Sequence, residues 1–479
     1  MSQVARSPLA SAVVVFVIAL AFRAVFASGY LWAWDSVLYA RAIGDFDVAS
    51  GRPHPPGYLF YVLLARAATW STGEANAGLV LVSMIAGAAT CAAGFLIGAR
   101  IFGAAVGVLA AAILIADPLL WHYSEVAYPY TVLAVLSGSV GALLWRSRGG
   151  GAGRALGASL ALGLAAGFRQ DLLLLLGPMW VWTLAGRSPA ATLGNVAALA
   201  LGCLMWLAPS AWSSGGLDRY LAVTASQVAG VSSIGGSEPQ GFRENALMIA
   251  IGLRWQLHWL VGLAPLGAWM LFRRADARGA LWPLALWITP AVLAYLVFHI
   301  GEWAYTLSVA VPLALLAAVG GTALMQAVRS TMVRPAIAVA IGAAIVLNAH
   351  SFVLGAGRFS ARAIEGHDAG LAIRFAEYRA RFPATDTVII ADGGYQHARY
   401  YLSEYRTFYV PAGSPVTRRT LQIGPEVRRA MLFLGEPQAH PQTKTRTVAL
   451  GNGVDIHYVP LDRGSRLVVL DGYVAVEDD

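Results

Sequence analysis

What constrains this chain most is a succession of apolar runs, each about as long as a bilayer is thick, with charges gathered between them. The first run is Leu9 to Ala27, preceded by Arg6. A cleaved signal peptide is the alternative there, but no convincing small-residue cleavage site follows and Arg23 interrupts the end, so a retained helix is expected. Further runs centre near Ala88, Ala110, Ala134, Leu162, Leu176, Leu201, Leu263, Ile288, Pro312 and Ile345, which makes about eleven helices. Of the 479 residues 57% are hydrophobic and only 13% charged, whereas a soluble domain is about a quarter charged. With mean hydropathy +0.61, the chain cannot cover its apolar surface with polar residues, and lipid must be part of its solvent. A polytopic α-helical membrane protein is the expected class.

Several functions are excluded early. The net charge of +8 is carried by arginines scattered singly between apolar spans, not gathered on a face, so nucleic acid is not expected as a partner. Lys444 is the single lysine, which excludes a Walker-type phosphate loop and a lysine Schiff base in the membrane part. Cys91 and Cys203 sit inside apolar runs and read as small buried hydrophobes.

The loops suggest an orientation. Arg100, then Arg146, Arg148 and Arg154, then Arg187, then Arg273, Arg274 and Arg278, then Arg329 and Arg334 fall at alternate connections. The positive-inside rule makes those, with the N-terminus, cytoplasmic. The opposite connections carry Asp35, Asp45, Asp47, Asp117, Glu125, Asp171, Glu238 and Glu302. An odd helix count then puts the C-terminal segment outside. That segment turns polar, with strand-like runs at Thr387–Ala391, Thr407–Val410, Thr447–Leu450 and Leu467–Leu470 and helical stretches at Leu371–Arg381 and Tyr395–Leu402. We expect a membrane domain over 1–358, with its informative first outer loop at 28–76, and a small extracytoplasmic α/β domain over 359–479. Multi-pass insertion in the cell (inner) membrane follows.

The first outer loop, Tyr30 to Trp70, alternates aromatic and aliphatic residues with charges, as interfacial helices do. Asp35 lies between Trp34 and Ser36 just beyond the first span. It fits either a helix N-cap on Val37-Leu38 or a general base. His54-Pro55-Pro56-Gly57 is a rigid turn that holds His54 and Arg52 at headgroup level, where a cationic pair suits a lipid phosphate; plain turn chemistry is the alternative. Glu125 follows His122 and Tyr123 at the rim of one span. Arg169-Gln170-Asp171 interrupts a long apolar stretch, where charge is expensive and is kept for a functional or paired role. His299 to Trp303, with Tyr305, caps another outer end. Asp45-Phe46-Asp47 has the form of an Asp-x-Asp metal ligand pair, a weak signal that leaves a divalent metal open; no other cofactor is expected.

Taken together, an aspartate after the first helix, a long first outer loop and a basic residue followed by Pro-Pro resemble the GT-C superfamily of glycosyltransferases that use polyprenyl-phosphate sugars. Within it the chain looks like the family of protein O-mannosyltransferases and lipid A aminoarabinose transferases. His54–Gly57 is similar to the His-Pro-Pro-Leu-Gly signature of the first and to the Lys-Pro-Pro of the second. Asp35 stands where the family has its catalytic acid, though Asp35-Ser36 replaces the common Asp-Glu pair. Glu125, Arg169 and the stretch from His299 to Tyr305 resemble bacterial members more loosely, and the likeness runs from Leu9 to Leu354. It implies inverting transfer of a sugar from a polyprenyl-phosphate donor to a hydroxyl of a glycan, lipid or protein. Asp35 would be the base, and Arg52, His54 and Arg169 would stabilise the leaving phosphate.

Two other classes stay open. A secondary transporter or flippase would also have about a dozen helices, but with related halves and midplane charges. An O-antigen ligase or polymerase would place its large loop late, and Trp212–Leu253 is long enough to be one.

Overall fold

The helices begin and end where the local chemistry dictates. The computed structural model describes residues 7–234, 239–275, 277–298, 300–411, 418–433, 439, 443–450, 454–463, 465–470 and 473–477. Ser7 caps α1 (Pro8–Arg23) by accepting from the Ala10 N–H, with proline at the first position. After α2 (Trp34–Gly44) and α3 (Leu59–Thr72), Glu74 caps α4 (Ala75–Ile101) through the N–H groups of Asn76 and Ala77. Asp117 caps α6 (Pro118–Ser124), which is bent 59° from α5 (Ala104–Ile115). Next come α7 (Tyr130–Ser147), α8 (Ala152–Ala165), α9 (Asp171–Leu184) and α10 (Pro189–Ser213). The stretch Trp212–Leu253 is helical for most of its length, in α11 (Leu217–Ile234) and α12 (Pro239–Leu257). Then follow α13 (Leu263–Arg273), α14 (Leu281–Val297), α15 (Ala310–Ala327) and α16 (Val333–Val353).

Every apolar centre read from the sequence lies in one of these helices. The count of eleven spans is not reproduced. Five helices among the described residues are long and apolar enough to cross a membrane, or up to seven if each bent pair is one span, and α1, α8 and α9 are shorter apolar helices. In lipid, helices associate by close packing of small residues. A Cβ at Gly267 of α13 would collide with the Leu316 carbonyl, and one at Gly320 of α15 with that of Leu263.

The chain divides into two compact units: residues 1–28 with 39–364, and residues 29–38 with 365–479. The second unit thus starts at Glu365 and takes in Gly29–Leu38 of the first outer loop. It contains most of α17 (Ala361–Arg381), α18 (Tyr395–Tyr401) and eight strands: β1 (Thr387–Ala391), β2 (Arg406–Tyr409), β3 (Arg419–Leu421), β4 (Arg429–Phe433), β5 (Arg446–Ala449), β6 (Asp455–Pro460), β7 (Arg466–Leu470) and β8 (Tyr473–Glu477). One sheet runs β2-β1-β4-β6-β5, parallel around β1 and antiparallel beyond β4; the other is β3-β7-β8. β1 is buried along its whole length, which explains its uninterrupted apolar run. Leu371, Phe375, Tyr378 and Phe382 recur at helical spacing and pack over Ile389, Met431 and Ile456.

Gly29–Leu38 belongs to this unit through specific bonds. The Leu31 N–H donates to the Tyr401 hydroxyl at 2.9 Å, and His397 Nε2 meets the Leu31 carbonyl at 2.8 Å, which requires the Nε2–H tautomer. Gly29 N–H donates to Asp368 Oδ2 at 2.6 Å. Burial holds the His397 imidazole down at about 4, with the Leu31 bond pulling the other way and His367 adding to the depression.

Candidate active site

A buried arginine organises the helical unit. Phe168 and Arg169 follow α8, and Asp171 opens α9, so both charges sit at one helix-to-helix turn. Arg169 is 5% exposed. A guanidinium withdrawn from water needs a full set of partners. Its Nε donates to Asp171 Oδ1 at 3.2 Å and its NH2 to Oδ2 at 2.8 Å, a bidentate pair. Around it stand three tyrosine rings, with the cation 4.9 Å from the centroid of Tyr130, 5.0 Å from Tyr305 and 5.8 Å from Tyr58. Tyr295 adds a hydroxyl 3.3 Å from Asp171 Oδ2. The Arg169-Gln170-Asp171 motif is therefore both a structural pair and the centre of an aromatic cage.

The His54 turn closes on the same cage. His54 Nε2 lies 3.3 Å from the Tyr58 hydroxyl, and its ring also packs beside Tyr39. The turn is fixed by the Gly57 N–H on the His54 carbonyl and by the Tyr220 hydroxyl on that of Pro56. Gly57 has φ +111°, and a side chain there would meet Val48. Tyr58 also adopts a left-handed conformation, at φ +51°. That is uncommon for a bulky residue and is a mark of a functional position.

Arg52 points elsewhere. Its NH1 pairs with Asp45 Oδ2 at 2.6 Å and its NH2 approaches Asp47 Oδ2 at 3.6 Å. Asp47 also accepts from the Ala49 N–H and the Ser50 hydroxyl. Burial alone would raise its carboxyl, but the Ser50 and Ala49 bonds outweigh it and hold the pKa below the ordinary value. The two carboxylates offered as metal candidates are thus the anions around a single arginine, Arg52. No group of three or more potential ligands gathers among the described residues.

Glu125 lies just beyond α6 and is fully buried. Burial pushes its carboxyl up to about 8, against the charge of Arg23 and the indole of Trp121. Arg23 is itself buried, donating to Ser124 Oγ at 3.0 Å and to the carbonyl of Ala19 at 3.1 Å. Glu125 belongs with Arg23, not with the Arg169 cage. Between the two, Tyr123 donates to Glu302 Oε2 at 2.7 Å and packs edge-on to Tyr130.

Asp35 belongs to the other unit. The Val37 N–H donates to the Ala33 carbonyl and the Ser36 hydroxyl accepts from the Ala33 N–H, so α2 is capped at Ala33 and Asp35 stands inside its first turn. The N-cap reading of Asp35 is corrected by that register. His299 lies outside the described residues. Sequence reasoning missed Tyr130 and Tyr295 as cage walls and Arg23 as the cation whose field reaches Glu125. Tyr128-Pro129-Tyr130 at a helix entry was a usable signal; Tyr295, inside an apolar run, gave none.

No family model matches the sequence, and no curated protein is significantly similar to it. Solved structures do match. ArnT from Cupriavidus metallidurans in the apo state aligns over 95% of this chain and 97% of its own at TM-score 0.56 and 13% identity. The same protein bound to undecaprenyl phosphate aligns over the same shares at 0.60 and 12%. The apo oligosaccharyltransferase of Archaeoglobus fulgidus aligns over 85% of this chain and 65% of its own at 0.54 and 13%. The likeness is one of fold: this chain shares the architecture of ArnT and, over less of its length, that of the archaeal oligosaccharyltransferase.

Proposed function

We propose, on the premise of that fold, that this chain is a membrane glycosyltransferase that moves a sugar from a polyprenyl-phosphate donor to an acceptor hydroxyl with inversion, on the extracytoplasmic face. The observation that carries the reading is the Arg169 cage: a pre-oriented, desolvated cation that shares the Tyr58 side chain with His54, built before any ligand arrives. ArnT was solved with undecaprenyl phosphate, and a donor of that class would bring a phosphate whose charge grows as the glycosidic bond breaks. Arg169 and His54 would stabilise that charge in a site where water cannot screen it. Arg52 would serve from the rim, after exchanging its Asp45 contact. Tyr305 and Tyr58 would orient the sugar–phosphate, and Asp171 would hold Arg169 in place.

Asp35 would take the acceptor's proton as its oxygen attacks the anomeric carbon. Glu125, kept neutral below about pH 8 by burial, is a poor base at neutral pH and suits a role in binding. The sugar would leave phosphate with its configuration inverted, and the lipid phosphate would depart with both bonding electrons.

The bent pairs α5–α6 and Gly241–Leu260 with α13, at 59° and 83°, are what a transporter would also show. In the first, however, Asp117 at the break is committed to capping α6. The deciding experiment is transfer by the purified full chain from a mixed pool of polyprenyl-phosphate sugars, read as release of polyprenyl phosphate by mass spectrometry. Asp35→Asn keeps the shape of the side chain but cannot accept a proton. It should reach normal abundance, retain donor lipid and lose about 100- to 10,000-fold in turnover. Near-normal turnover in that variant removes Asp35 from the chemistry; proteoliposome uptake of a solute with no sugar transfer would favour the transporter.

A further inference from the structure

At the far end of α7 from Tyr130 lies a second collection of arginines that the proposed reaction does not use. Tyr130 and Arg146 are sixteen positions apart on one helix, about 24 Å at 1.5 Å per residue. There Arg100 at the end of α4, Arg146 at the end of α7 and Arg154 in the first turn of α8 rim a cavity of about 570 Å³. That volume is within the range of about 300–1,000 Å³ seen for small-molecule sites. Its walls are apolar, with Leu96, Ile97 and Leu143 among them.

The three arginines are not spent on the protein. Their neighbours are: Arg148 donates to the carbonyls of Trp182 and Ala185, and Arg187 to those of Thr183 and Ser147. Arg100, Arg146 and Arg154 make no hydrogen bond or ion pair with the described residues. Nor does any of α4, α7 or α8 carry an aspartate or glutamate. Arg154 also stands in the first turn of a helix, where a cation opposes the dipole. Three cations thus rim one apolar cavity with no acidic partner among the described residues.

We propose that this cavity binds an anionic phospholipid of the leaflet it faces, the phosphodiester on the three guanidinium groups and the acyl chains along Leu96, Ile97 and Leu143. Arginine forks match phosphate oxygens, and basic pockets between helices recognise anionic headgroups in this way. A zwitterionic lipid would set its own ammonium among the arginines and be disfavoured. The site lies outside the transfer machinery, so its occupancy stands or falls separately from the proposed reaction.

The test is native mass spectrometry of the full chain titrated with phosphatidylglycerol, phosphatidylcholine or inorganic phosphate. Phosphatidylglycerol adducts should outlast phosphatidylcholine adducts. The triple variant Arg100→Gln, Arg146→Gln, Arg154→Gln should lose retention on the order of 100-fold, at about five-fold per arginine. Arg329→Gln, a change at an exposed arginine elsewhere, should leave it intact. Should the triple variant fail to fold, each single Gln variant should still weaken retention several-fold, and the triple Lys variant should keep most of it. Equal retention of phosphatidylcholine, equal protection by inorganic phosphate, or wild-type retention in the Gln variants would overturn the proposal.

Discussion

The two units treat charge in opposite ways. In the helical unit Arg23 and Arg169 are buried, and each is met by carbonyls, a hydroxyl, a carboxylate or ring faces. In the α/β unit the ion pairs Arg379–Glu404 and Arg418–Glu477 lie at the surface, and the buried imidazole of His397 is held neutral. A unit surrounded by lipid must solvate its cations internally and in advance. A unit in water can leave pairing to the surface, where it contributes little. The Arg169 cage falls in the unit where pre-solvation is forced, and under the proposed reaction a pre-oriented cation is what a departing phosphate requires.

Breaking the internal solvation should have the largest effect. Arg169→Leu leaves Asp171 without its cation and should cost about 3 kcal/mol or more of stability, with loss of transfer. Thermal unfolding of the detergent-purified protein measures the first. The double change Arg169→Leu, Asp171→Leu should recover part of the stability but none of the transfer. If the single variant melts like the wild type, the cage is not what holds α8 to α9.

The neutral histidine sharpens the contrast through pH. The folded pKa of His397 is about 4, below the ordinary value of about 6.5, so its contribution is complete above pH 6.5 and is lost as pH falls from there towards 4. Two and a half units correspond to about 3 kcal/mol. Limited proteolysis within residues 387–433 should therefore accelerate between pH 6 and 4, and His397→Gln should flatten that dependence. A flat profile in the wild type would contradict the burial argument.

His54→Ala should lower turnover on the order of 100-fold, the usual consequence of losing one donor to a developing charge, while the melting temperature stays within a few degrees. An unchanged rate would leave Arg169 as the sole phosphate contact of the cage. The smallest effect belongs to the surface of the other unit: Arg379→Ala, removing a pair whose side chains are 52% and 40% exposed, should cost less than about 1 kcal/mol. A loss as large as that of Arg169→Leu would erase the contrast between the units.

The sequence by itself determined the solvent of each region. Apolar runs with single arginines gave the helices and their centres, and β1 and the helices around Phe375 and Tyr395 were legible because their burial patterns are periodic or continuous. Strands β4, β6 and β8 were not, since a five-residue stretch such as Arg429–Phe433 carries helix formers and only its neighbours β1 and β6 make it a strand. Asp35, His54, Arg169 and Asp171 could be picked out as isolated polar residues in or beside apolar sequence, a signal that depends on composition alone. Which of them meet could not. Tertiary structure decided that Arg52 faces Asp45, that Arg23 bonds Ser124 next to the buried Glu125, that Tyr130 and Tyr295 wall the arginine, and that Gly29–Leu38 joins a domain built over 300 residues later. Those outcomes depend on long-range packing of helix ends, and the spacing of residues along a chain carries no record of which ends will be neighbours.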